Sequence, residues 1–182
     1  MLKHMSVSAL ALAAVACGQP VATATEAQAQ PATTATTAAP AEVSAADKAA
    51  ILAALHMRAD ARGMVMNECE EKVTPGYIPV DMGSGVGSAI LFVMVGGPNM
   101  ASCYGDGPDL HLMRREGGAF REIYSLRGGV MVVLNTEHSG GKDIADGGPG
   151  FSFPVEQWNG ATYVRTRRTV SDAQTADALM LP

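Results

Sequence analysis

The chain has 182 residues, with 13 Lys+Arg against 18 Asp+Glu and a formal net charge of −5. That length suits a single domain, and the acidic excess argues against a nucleic-acid partner, which is normally met by a basic patch. Eighteen of the first 50 residues are alanine and aromatics are only 5%, so the 47% hydrophobic content overstates the material for a core. Beyond the N-terminus no apolar run reaches the roughly 18 residues of a spanning helix, which excludes a multispan membrane protein.

Residues 1–16 have the layout of a signal peptide. Lys3 and His4 open it, Val7 to Ala16 form a short Ala/Leu-rich run, and small residues lead to Cys17. Met5 is an alternative start and would remove only Lys3 and His4. The segment Leu12-Ala13-Ala14-Val15-Ala16-Cys17-Gly18 resembles the lipobox of bacterial lipoproteins, with Ala14 where Leu is usual. That resemblance implies lipidation of Cys17, anchoring to the membrane through the lipid, and outer-membrane sorting, since Gly18 rather than Asp follows the cysteine. The alternative is a soluble secreted or periplasmic protein cut after Ala29. The three cysteines are Cys17, Cys69 and Cys103. Acylation of Cys17 removes the odd thiol and leaves Cys69 and Cys103 as an expected disulfide in an oxidising compartment.

Residues 17–44 are rich in Ala, Thr, Pro and Gln without periodicity, and read as a disordered tether. The domain, 45–182, opens with Ser44-Ala45-Ala46-Asp47 as a capping-box pattern. Ile51, Leu52, Leu55 and Ala59 recur at helical spacing, and Gly63 offers a stop, so a helix is expected over about 45–62. Strands follow at 77–80, 89–95, 109–115, 119–125, 130–134, 151–155 and 162–168, separated by glycine-rich breaks. The run 89–95 is apolar throughout and predicts a strand covered on both faces. Gly117-Gly118 and Asn159-Gly160 predict hairpins. The expected fold is α+β, one N-terminal helix on an antiparallel sheet of five to seven strands.

From Val80 onward, the ordered pieces Val80-Asp81-Met82, Ile90 to Val95, Cys103-Tyr104-Gly105, Gly117 to Arg121, Asp143-Ile144 and Trp158 to Tyr163 resemble small proteobacterial envelope proteins. They resemble more distantly the calcium loops of FG-GAP and VCBS-type repeats. The resemblance implies location and fold more than activity. Read as a calcium loop, positions 1, 3, 5 and 9 are Asp81, Gly83, Gly85 and Ala89, too few oxygen ligands for that ion.

Asp109, His111 and His138 are the candidate metal or acid–base residues, with Asp106, Glu137, Asp143 and Asp146 assigned to nearby loops. Their spacing matches no zinc signature, so no metal and no cofactor is expected. Ser84 and Ser139 lack the nucleophile-elbow context. Arg165, Arg167 and Arg168, and Arg114, Arg115, Arg121 and Arg127, read as solvated charge that protects strand edges. The reading is a non-catalytic, lipid-anchored envelope protein facing the periplasm. The alternatives are a periplasmic binding module or inhibitor of an envelope enzyme, and a small metal-dependent hydrolase.

Overall fold

The structure is a computed structural model that describes residues 42–97, 103–147 and 152–182. The expected signal segment, Cys17 and the tether up to residue 41 lie outside the described residues, as does Phe151, the expected first residue of a strand.

Helix α1 (Ala45–Ala54) starts where the capping pattern places it, with the Ser44 hydroxyl accepting from Asp47 N at 3.1 Å. It ends a full two turns before Gly63. His56 adopts φ 57°, His56 N donates to Ala53 O at 3.2 Å and Met57 N to Leu52 O at 2.8 Å. Those two bonds form a Schellman cap with histidine in the place usually held by glycine. Gly63 belongs instead to a turn closed on Asp60, whose carboxylate accepts from Arg62 N and Met64 N.

The strands are β1 (Val65–Met66), β2 (Lys72–Val73), β3 (Gly76–Asp81), β4 (Ser88–Met94), β5 (Asp109–Glu116), β6 (Ala119–Arg127), β7 (Val130–His138), β8 (Gly141–Gly147), β9 (Phe153–Trp158) and β10 (Tyr163–Val170). A short helix α2 (Asp172–Thr175) and β11 (Leu179–Leu181) complete the chain. All pairings are antiparallel. They make a two-stranded sheet β1-β2, a four-stranded sheet β3-β4-β5-β6 and a five-stranded sheet β10-β9-β8-β7-β11. The fold is therefore mostly β, and the single sheet of five to seven strands is corrected to two principal sheets. The excess comes largely from β8, whose Lys142, Asp143 and Asp146 between two glycines look like a loop in sequence, and from β11 at the C-terminus.

The Gly117-Gly118 hairpin forms as expected, with both residues at positive φ and Glu116 paired to Ala119. The Asn159-Gly160 hairpin is wider. Trp158 pairs with Tyr163, and the Asn159 side chain closes the loop by accepting from Ala161 N and Thr162 N, both at 2.9 Å.

Side-chain alternation sorts the core into layers. On β4, Ala89, Leu91 and Val93 meet Met131, Val133, Ile144 and Trp158 of the five-stranded sheet. The intervening Phe92 and Met94 meet Ile51 and Leu52 of α1. The expected burial of this strand on both faces is thus seen, with the helix on one side and the second sheet on the other. A third cluster, including Val132, Ala145, Phe153 and Val155, lies on the other face of the five-stranded sheet.

The two sheets also meet backbone to backbone. Gly85 N donates to Gly140 O at 2.7 Å and Lys142 N to Met82 O at 2.8 Å, joining the β3–β4 loop to the β7–β8 turn. A Cβ on Gly85 would lie 2.4 Å from Ser139 O. Gly83 and Gly85 of the β3–β4 loop thus serve close backbone approach. Asp81 turns its carboxylate onto Gly83 N at 3.0 Å and lies 3.6 Å from Lys142 Nζ.

Cys69 and Cys103 form a disulfide with Cα atoms 5.9 Å apart. Cys69 lies in the β1–β2 loop, held by the buried Asn67 side chain. Asn67 accepts from Cys69 N and Glu71 N and donates to Gly96 O at 2.7 Å. No helix among the described residues is long and apolar enough to cross a membrane.

Candidate functional site

The candidate residues fall into two groups that do not converge. Asp109 and His111 both lie on β5, and β6 adds Glu122. His111 Nε2 is 3.2 Å from Asp109 Oδ2, and Nδ1 is 2.5 Å from Glu122 Oε2. Burial alone would push this imidazole down. The hydrogen bonds and charges of Asp109 and Glu122 outweigh it and hold the group up to about 9. His111 is therefore a charged tie between two strands at neutral pH.

His138 stands on the five-stranded sheet, 3.2 Å from Asp143 Oδ1. Asp143 is fully buried, and its other oxygen accepts from Thr136 Oγ1 at 2.6 Å and Arg168 Nη1 at 2.9 Å, with Gln157 Nε2 at 3.4 Å. The glycine-flanked sequence around Asp143 suggests a loop, but Asp143 is a strand residue on the same face as Ala145. Among the described residues, no group of three or more His, Cys, Asp and Glu is arranged to hold a metal ion.

The arginines of β10 are not simply solvated edge charge. A register shift lies between Arg165 and Thr169, and Arg165 and Arg168 meet carboxylates on opposite faces of the sheet. While Arg168 takes Asp143, Arg165 Nε donates to Glu156 Oε1 at 2.7 Å and its Nη2 pairs with Asp146. In the hairpin, Arg115 pairs with Asp47 of α1, Arg127 with Glu68, and Arg121 with Glu116 and Ala161 O.

Sequence reasoning missed the place where charge enters the interior. A cleft of about 420 Å³ opens where β6, β8, β9 and β10 meet. Asp146, Glu156, Arg165, Tyr124 and Tyr163 line it together with Glu122 and Arg127. The side chains of Glu156 and Asp146 are only 7% and 11% exposed. The Tyr124 hydroxyl donates to Asp146, and burial together with that carboxylate pushes the phenol well up, so it stays a neutral donor. Burial likewise raises Tyr163, whose hydroxyl donates to Lys142 O at 2.9 Å. A signal did exist: in Phe153-Pro154-Val155-Glu156-Gln157-Trp158, alternation puts Glu156 on the inward side with Trp158. Concave sites with a few converging polar groups are the usual places for ligands. Comparison of the chain with protein-family models, curated proteins and solved structures finds no match.

Proposed function

We propose that the chain is a lipid-anchored, non-catalytic protein of the bacterial cell envelope, held to the outer membrane by Cys17 and facing the periplasm. The observation that carries this reading is the Cys69–Cys103 bond. It accounts for two of the three cysteines and leaves Cys17, at the end of an exported-type apolar segment, as the remaining one. A disulfide of this kind belongs to an oxidising compartment. The charge arrangement supports a binding rather than a chemical role. His111 is held protonated between two carboxylates, Asp143 is paired with Arg168, and Asp146 and Glu156 share Arg165.

The test is expression of the full chain in a proteobacterial host fed labelled palmitate. Wild type is expected to carry label and to fractionate with membranes. The Cys17→Ser variant is expected to lose both properties, because stable anchoring needs acyl chains at that residue. A mature N-terminus after Ala29 would reject the anchor. The second reading, a periplasmic binding module, is favoured by the cleft beside Glu156 and is compatible with the anchor.

A further inference from the structure

We propose that the cleft between β6, β8, β9 and β10 binds a small amino sugar bearing a free primary amine. The inference rests on the reading that this domain works by binding. It begins with charge. Of the charged groups on the lining, Glu122 is also held by His111 and Arg127 by Glu68. Asp146 and Glu156, both nearly buried, share one cation, Arg165. These two carboxylates are therefore one positive charge short. Buried carboxylates are costly without full pairing, so a ligand ammonium is the complement and an anion is excluded.

The hydrogen-bond inventory gives the rest of the ligand. Glu156 Oε1 accepts from Arg165 Nε, and no hydrogen bond of the described residues reaches Oε2. No side-chain oxygen sealed from solvent lacks a partner among those residues, so Oε2 keeps contact with solvent, and Glu156 lines the cleft. This acceptor is where an ammonium fits. Arg165 uses Nε and Nη2, which leaves Nη1 as a donor. The Tyr124 oxygen, donating to Asp146, keeps its lone pairs for a ligand hydroxyl. A simple alkylamine would satisfy Oε2 alone. A sugar with an amine beside hydroxyls satisfies all three, and about 420 Å³ lies in the lower range for small-molecule sites.

The test is calorimetry on the full chain with the disaccharide of β-linked glucosamine and with its N-acetylated counterpart. Saturable binding of the free-amine form is expected, with the acetylated form weaker by about ten- to hundredfold, the loss of one charged hydrogen bond. Glu156→Gln should weaken the free-amine form similarly, with circular dichroism checking its fold. If that variant does not fold, the ligand pair on wild type decides alone. Equal binding of the two sugars, or none into the millimolar range, overturns the proposal. Mass spectrometry of the disaccharide after incubation separates the two readings. Intact sugar is expected, and cleavage would reject the non-catalytic reading while leaving the cleft as the amine site.

Discussion

On the four-stranded sheet a histidine sits between two carboxylates. On the five-stranded sheet a carboxylate sits among an arginine, a histidine and two neutral donors. The residue types are nearly the same, but the central group differs. His111 is a cation that ties β5 to β6 and packs beside the Phe92 ring, 5.9 Å between centroids. Asp143 is an anion that gathers β7, β9 and β10 onto β8. The first half is further fixed by α1 and by the disulfide loop. The second has no cross-link among the described residues and depends on its charged centre. Similar residues thus make a histidine tie in one sheet and a carboxylate hub in the other, according to which group the strands bury.

The largest effect should come from the cross-link. Replacing Cys69 and Cys103 together by serine frees a loop of sequence separation 34 and should cost about 4 kcal/mol on the chain-entropy model. Hydrogen exchange should show protection falling first around β1 and β2, with β7 to β9 retaining theirs. Simultaneous loss in both sheets would mean that the halves unfold as one unit, and the comparison would break.

Next is Asp143→Ala, which strips four side chains of their shared acceptor. Urea denaturation should show a loss of about 3 kcal/mol, toward the lower end for a broken buried pair because Arg168 is half exposed and can turn to water. A loss under about 0.5 kcal/mol, the level of an ordinary surface change, would show that Asp143 does not organise its sheet.

The smallest effect is pH-dependent. The His111 imidazole titrates near 6.5 when unfolded and at about 9 when folded. Its stabilising contribution is therefore complete below about pH 6.5 and is lost as the pH rises through about 9. Partial exposure of Glu122 reduces the full linkage value to about 2 kcal/mol. His111→Gln should flatten that part of the stability curve. Matching wild-type and variant curves from about pH 6 to 10 would remove His111 as the tie between strands.

Local signals settled the elements that local physics controls. Ser44 capped α1 because its hydroxyl needs only the amide three residues on. Gly117-Gly118 turned the β5–β6 hairpin because both positions take positive φ. The unbroken apolar run after Ser88 became a doubly covered strand, since neither face holds enough polar side chains to meet water. Setting Cys17 aside as the expected lipid site pairs Cys69 with Cys103, and the structure joins them. Tertiary structure decided the rest. The helix stopped at Ala54 because His56 took a left-handed backbone, a conformation that no residue type there announces. β8 became an interior strand despite Asp143 and Asp146, because Arg168 and Arg165, more than 15 residues away in the chain, supply the charge that makes burying them tolerable. The cleft at Glu156 exists for the same reason. A carboxylate's environment is set by which distant strands bring it a partner, and spacing along one strand carries no record of that.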